Sequence, residues 1–183
     1  MRVITGSARG RKLKTPKGLT TRPTTDRVKE ALFNILGNRV LGAKVLDLFA
    51  GSGALAIEAL SRGAEGAVLV EVSPQAIVAI QDNLTVTKIS TRVKLIRQDV
   101  YQVLANLGAK TESFDLIFLD PPYHQGHGPK VLELIARHSL LTQTGLVVIE
   151  ASKKESFPLE VGTLVLGRRE NYGDSSLVFY TWQ

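Results

Sequence analysis

From residue 44 to residue 149 the chain alternates between short apolar runs and segments whose apolar residues recur at helical spacing. The runs are Val45–Phe49, Ala67–Val72, Val93–Ile96, Leu116–Leu119 and Leu146–Ile149, and the helical pattern falls at about 53–62, 74–86, 100–108 and 128–140. A strand that is apolar on both faces needs cover on both, and intervening helices supply it. The pattern therefore predicts an α/β fold with a doubly wound, mostly parallel sheet. The end of the chain changes character. Thr163–Arg169 and Leu177–Trp182 are strand-like and are joined by Glu170-Asn171-Tyr172-Gly173-Asp174 with no helix between them. An antiparallel hairpin there would bring the sheet to seven strands.

Ahead of the sheet, Arg2–Thr5 and Lys12–Thr15 flank Ser7-Ala8-Arg9-Gly10-Arg11, a hairpin pattern. A helix follows. Thr24, Thr25 or Asp26 can cap it, Val28, Ala31, Leu32, Ile35 and Leu36 form its apolar stripe, and Gly37 stops it. These features divide the chain into an N-terminal extension over 1–37 and a domain over 38–183, with residues 1–17 expected to be removable without unfolding. At 183 residues the whole fits one ordinary domain. There are no cysteines, which excludes disulfides, thiolate metal sites and a cysteine nucleophile. No apolar run is long enough to span a membrane, and the N-terminus lacks a signal-peptide core. A cytoplasmic protein with no membrane partner is expected.

Charge sharpens this division. The net charge is +6, yet residues 1–29 hold nine basic residues (Arg2, Arg9, Arg11, Lys12, Lys14, Lys17, Arg22, Arg27, Lys29) and only Asp26 as an acid, or +8. The remainder sums to −2. A basic arm on a near-neutral body is the asymmetry of a protein that grips a polyanion; the plainer reading is a solvated tail.

Two constellations carry candidate chemistry. Asp47-Leu48-Phe49-Ala50-Gly51-Ser52-Gly53 runs from a strand into a glycine-rich turn and opens a helix, and Glu71 stands 20 residues after Gly51 at the end of the next strand. Glycines let backbone pass close under a ligand, and an acid at that distance suits ribose hydroxyls. This region alone fits a nicotinamide dinucleotide and S-adenosylmethionine equally. In a doubly wound sheet Asp47, Glu71 and Asp99 would converge on one crevice. Three acids there would repel a pyrophosphate, although Asp99 serves equally as a helix cap before Val100. The second constellation is Asp120-Pro121-Pro122-Tyr123 directly after Leu116–Leu119. Two prolines remove two N–H donors and leave a carbonyl and the Asp120 carboxylate as acceptors. Such a pair can bind the two hydrogens of a base amino group and turn its lone pair outward, while Tyr123 offers a stacking face. His124, His127 and His138 have no metal-ligand spacing and read as loop or surface residues. Arg168, Arg169 and Tyr172 read as a solvated turn or a second nucleic-acid contact.

Those two motifs, preceded by the segment from Arg22 through Pro23, Thr24, Thr25, Asp26 and Arg27 to Leu36, resemble the bacterial small-subunit ribosomal RNA guanine-N2 methyltransferases over nearly the whole chain. The glycine turn and the Pro-Pro motif are common to many amino-methyltransferases; the Arg22–Leu36 segment points to this family. The resemblance implies a class I S-adenosylmethionine-dependent fold closed by an antiparallel hairpin. It places the cofactor at Asp47, Phe49, Gly51 and Gly53, its ribose on Glu71, its adenine near Asp99, and the target amino group at Asp120 and Pro121, with Pro122 and Tyr123 completing the motif. It implies no metal. The partner would be 16S ribosomal RNA or an assembling small subunit, met by a monomer through Arg2, Arg9, Arg11, Lys12, Lys14, Lys17, Arg22 and Arg27. Three rivals remain: an adenine amino-methyltransferase of RNA or DNA, a nicotinamide oxidoreductase, which leaves the Pro-Pro motif unexplained, and an idle RNA-binding module, against which the intact Asp120 motif argues.

Overall fold

A computed structural model describes residues 1–16, 25–122 and 125–183. Its sheet holds strands β1 (Lys44–Leu48), β2 (Gly66–Glu71), β3 (Val93–Arg97), β4 (Phe114–Leu119), β5 (Leu141–Ser152), β6 (Glu160–Val161), β7 (Leu164–Tyr172) and β8 (Ser175–Trp182), in the order β3-β2-β1-β4-β5-β8-β7-β6. The first five are parallel, and β8, β7 and β6 add on antiparallel. The α/β class and the closing hairpin match the sequence expectation; the count is eight rather than seven. The extra strand, β6, is two residues long, one of them the exposed Glu160, and so has no alternation to read.

The helices are α1 (Asp26–Leu36), α2 (Ala54–Ser61), α3 (Pro74–Thr87), α4 (Val100–Ala109) and α5 (His127–Arg137). Helix α5 stops short of the expected 140 because Ser139 turns to φ 51°, and β5 begins at once. Two apolar layers cover the sheet. On one face α1, α2 and α3 pack Phe33, Ile57 and Leu60 against Leu69, Phe118 and Phe179. On the other, α4 and α5 pack Leu104, Leu132 and Ile135 against Leu46, Ile117 and Tyr180. The strand order reverses between β1 and β4, which opens a ligand crevice at their carboxyl ends.

The N-terminal hairpin forms as a turn with one bridge, Arg2 to Lys12, instead of two strands. It is not a separable tail. Val3, Ala8 and Leu13 are buried in the first apolar layer. The Ser7 N–H donates to Ser61 O at 2.8 Å, the Ala8 N–H to Ser61 Oγ at 2.9 Å, and the Ile4 and Thr5 N–H groups to the Glu58 carboxylate at 2.8 and 3.0 Å. Glu58 is fully buried and also holds Lys29 Nζ at 3.2 Å and Arg62 Nε at 2.8 Å. These contacts argue against the expectation that the protein stays folded without residues 1–17, because their loss would strip two donors from a buried carboxylate and uncover part of the core. The buried face of α1 is also shifted from the expected stripe. Its buried residues are Val28, Lys29, Leu32, Phe33 and Leu36, whereas Ala31 and Ile35 are only partly covered. Thr25 supplies the cap, its side chain accepting from Val28 N–H at 3.3 Å; Thr24 lies outside the described residues.

Candidate active site

The glycine turn is held open by strain and by one acid. Phe49 adopts φ 61°, a left-handed conformation that costs a non-glycine residue about 1–3 kcal/mol. Gly51 and Gly53 also have positive φ but face different ways. A Cβ at Gly51 would meet nothing nearer than 3.9 Å, so its outer side is open, whereas one at Gly53 would press on Leu69 Cδ2 at 3.1 Å. Gly51 thus leaves the outer side of the turn open, and Gly53 lets the turn pack on β2. Glu71 ties the turn to the next strand: its carboxylate accepts from the N–H of Gly51 at 2.9 Å and from those of Val72 and Ser73 at 2.8 Å each. It stands at the carboxyl end of β2, beside the turn.

The other two acids are placed differently. Asp47 is 2% exposed, inside β1 rather than on the rim, and accepts from the Ala56 N–H at 3.1 Å. Burial pushes its carboxyl up to about 8; the Ala56 hydrogen bond opposes this and nearby Glu71 adds to it. It braces the first turn of α2 from below. Asp99 is exposed and caps α4, accepting from Tyr101 N–H at 2.9 Å and Gln102 N–H at 3.4 Å.

Between Asp99 and the Pro-Pro motif stands a cluster that the sequence did not signal. The His127 ring lies 5.4 Å from Phe49 and 6.0 Å from Tyr101, centroid to centroid. Its Nε2 meets Gln125 Oε1 at 3.1 Å and its Nδ1 meets the Tyr101 hydroxyl at 2.7 Å. An amide oxygen only accepts, so in the neutral ring Nε2 carries the proton and Nδ1 accepts from the Tyr101 hydroxyl. Burial, with Asp99 nearby, raises the Tyr101 hydroxyl above its usual range and keeps it a donor. Three rings from three elements make an apolar wall suited to an adenine face. No spacing rule links residues 49, 101 and 127, so only the fold assembles them.

Asp120 follows β4 beside the turn, its N–H donating to Leu48 O at 3.5 Å, and Pro121 is buried next to it. Tyr123 and His124 lie outside the described residues. A cavity of about 280 Å³ opens on the α4–α5 side of Pro121 and Pro122, against His127, Glu155 and Phe157. Among the described residues no group of three or more His, Asp or Glu is placed to hold a metal.

A family model described as conserved hypothetical protein 95 matches residues 1–181. The chain belongs to that family. It is 34% identical over 180 residues to ribosomal RNA small subunit methyltransferase D of Escherichia coli, spanning 98% of this chain and 89% of that one. It is 41% identical to a Bacillus subtilis protein, YlbH, whose name assigns it provisionally to the rRNA methyltransferases, across 98% of both chains. A solved Escherichia coli structure, described in equally provisional terms as a methyltransferase, superposes with a TM-score of 0.87 at 34% identity, covering all of this chain and 98% of that one.

The described basic residues that the sequence singled out differ in their surroundings. Arg2, Arg9 and Arg27 line one depression of about 360 Å³ together with Asp26 and Glu30. Arg2 reaches Asp26 at 3.8 Å, and exposed Lys14 pairs with Asp82 at 2.8 Å on α3. Arg11 and Lys12 are exposed; Lys17 and Arg22 lie outside the described residues. Lys29, counted with the basic arm by sequence, is sealed inside the protein against Glu58. Arg168 pairs with Glu170 at 2.9 Å, and Arg169 donates to the carbonyls of Lys153 and Glu155 at 3.1 and 2.9 Å.

Proposed function

We propose that this protein transfers a methyl group from S-adenosylmethionine to the exocyclic N2 amino group of a guanine in 16S ribosomal RNA. The observation that carries the reading is Asp120-Pro121-Pro122 at the end of β4, one strand from the glycine turn and bound to it through Leu48. The crevice residues fit the donor: open backbone at Gly51, a carboxylate at Glu71 for hydroxyls, Asp99 at the rim, and the Phe49, Tyr101 and His127 rings for the adenine. Asp47 acts from beneath by holding the turn. When bound, S-adenosylmethionine supplies a methyl carbon made electrophilic by its sulfonium.

The protein prepares the nucleophile. An aromatic amino nitrogen is poor because its lone pair is delocalised into the ring. Asp120 and the Pro121 carbonyl accept its two hydrogens and orient that lone pair outward, and Asp120 holds the proton released as the new N–C bond forms and the methyl–sulfur bond breaks, the sulfur leaving as a neutral thioether. Positioning and fixed acceptors then supply the rate. No helix among the described residues is long and apolar enough to cross a membrane, and this reading takes the protein as a cytoplasmic monomer acting on RNA or on an assembling small subunit. Arg2, Arg9 and Arg27 supply its first phosphate contacts.

Single-turnover methylation at saturating cofactor tests the assignment. Asp120→Ala should lower the rate about 10²–10³-fold with cofactor affinity nearly unchanged, because the interaction strengthens only as the nitrogen becomes tetrahedral. A variant within twofold of wild type would remove Asp120 from the chemistry. Mass spectrometry of 16S RNA from cells with and without the gene identifies the base; a methylated adenine would replace the guanine reading by the adenine one.

A further inference from the structure

Resting on the guanine-N2 reading, we propose that the cavity beside Pro121 and Pro122 receives the target base and that Phe157 is the face on which it stacks. The cavity measures about 280 Å³ and is lined by Pro121 and Pro122 after β4, Ala151 on β5, Ser156 and Phe157 in the loop after it, and His127 at the start of α5. Drug-sized ligands fill sites of roughly 300–1,000 Å³, so this one holds a single flat base and little more. Its place in the strand order sets it apart from the cofactor crevice. Gly51, Glu71 and Asp99 stand at the ends of β1, β2 and β3, whereas the cavity lies at the ends of β4 and β5, beyond β1 from the other two. Displacement at the methyl carbon brings the nitrogen in on the side opposite the leaving sulfur. A donor over β1 to β3 and a base over β4 and β5, meeting at the Pro-Pro motif, satisfy that requirement.

The Phe157 ring is held in place. Residues 153–159 form neither helix nor strand, yet both ends of the segment are tied to the terminal hairpin. Arg169 on β7 donates to the carbonyls of Lys153 and Glu155 at 3.1 and 2.9 Å, the Lys153 N–H donates to Asp174 O at 2.9 Å, and the Tyr180 hydroxyl donates to Pro158 O. On α5, Gly128 makes room for the ring: a Cβ there would stand 2.8 Å from Phe157 Cε1 and 3.2 Å from Cζ. The ring is nonetheless only partly buried. A fixed aromatic side chain that keeps part of its surface open beside a cavity is suited to a stacking ligand. Glu155, also on the cavity, accepts from the Ser152 N–H at 3.2 Å, so stacking, and not that acid, is what the cavity offers a base.

The chemistry requires such a face. Asp120 and the Pro121 carbonyl grip only the amino group, and as its nitrogen becomes tetrahedral, conjugation no longer holds that group in the plane of the ring. The base could then turn about its C–N bond. Stacking on Phe157 fixes the ring plane through the reaction, and with it the direction from which the lone pair meets the methyl carbon.

The experiment uses the full-length protein on small-subunit RNA. Phe157→Ala should lose about 10–100-fold in kcat/KM for RNA, the range set by the stacking of one base, with affinity for S-adenosylmethionine at the wild-type value. Phe157→Tyr, which keeps a flat ring, should stay within about threefold of wild type, whereas Phe157→Leu, which keeps apolar bulk without the face, should fall with alanine. Ser156→Trp, at an exposed position on the cavity wall, should block methylation by filling the cavity while leaving the core intact, and it decides the matter if Phe157→Ala fails to fold. Leucine as active as tyrosine would mean that the ring only packs against Gly128, and wild-type turnover in Ser156→Trp would mean that the cavity holds no base. A matching loss of cofactor affinity would assign the cavity to the cofactor instead. Each of these outcomes overturns the proposal while wild type still forms N2-methylguanine. Absence of that product with wild type would overturn the functional reading, and this one with it.

Discussion

At the residue scale, the carboxylates of the crevice show how one side-chain type takes different work from its surroundings. Asp47 keeps its proton up to about pH 8 in the fold because burial disfavours the charge, whereas in the unfolded chain it loses it near 4. Between those values the unfolded state binds fewer protons, so this group makes the protein less stable as pH rises from about 4 to about 8. Asp47→Asn should flatten that dependence, measured as the thermal midpoint against pH. A loss that persists unchanged in the variant would assign it to another group. Glu71, by contrast, already serves three backbone N–H groups, and the proposed function gives it the ribose hydroxyls as well. Glu71→Ala should weaken S-adenosylmethionine binding by about 1–3 kcal/mol in calorimetry, through lost hydroxyl contacts and a loosened Gly51 turn. Tyr101→Phe removes only the hydroxyl that reaches His127 and should cost about 0.5–1.5 kcal/mol of the same affinity.

At the element scale, the hairpin, α1 and α2 behave as one unit because a single buried carboxylate joins them. Glu58 accepts from two hairpin N–H groups, from Lys29 on α1 and from Arg62, which also stacks 4.9 Å over the Phe33 ring. Burial lowers the Lys29 pKa and Glu58 opposes that shift, so the amine depends on its partner to stay charged. Glu58→Leu would strand it and should cost about 3–5 kcal/mol in urea unfolding. Lys29→Met should cost less, because Glu58 keeps Arg62 and both N–H groups. Equal losses would mean that packing rather than charge holds the unit. Gly6→Ala should also be damaging, since φ is +86° and the new Cβ would lie 1.8 Å from Ser61 O, a backbone atom with no room to move.

At the scale of the whole molecule, charge becomes a surface property. The arm's excess of +8 counts Lys29, which is internal, and Lys14, which is paired with Asp82. The residues that gather are Arg2, Arg9 and Arg27. Replacing all three with Gln should reduce the slope of log affinity against log salt by about two to three units, one for each lost phosphate contact, in filter-binding titrations on small-subunit RNA. Lys14→Gln should change it by less than one. A triple variant with the wild-type slope would place the RNA elsewhere, with Arg11 and Lys12 the next groups to test.

What the chain determined by itself is whatever depends on local order. Alternating apolar runs and helical stripes specified the parallel sheet, because burial on two faces leaves its mark in consecutive residues. Strand-turn-helix glycines, the acid 20 residues on and the Pro-Pro motif after the fourth strand specified where a ligand edge would be. Only the tertiary structure decided the rest. Lys29 looks like one more basic residue until Glu58, 29 positions away, is packed against it. Asp47 looks like a rim acid until α2 closes over it, and His127 like a loop residue until Phe49 and Tyr101 arrive from other strand ends. Burial, pKa and pairing belong to neighbours in space, and residues remote in sequence supply them.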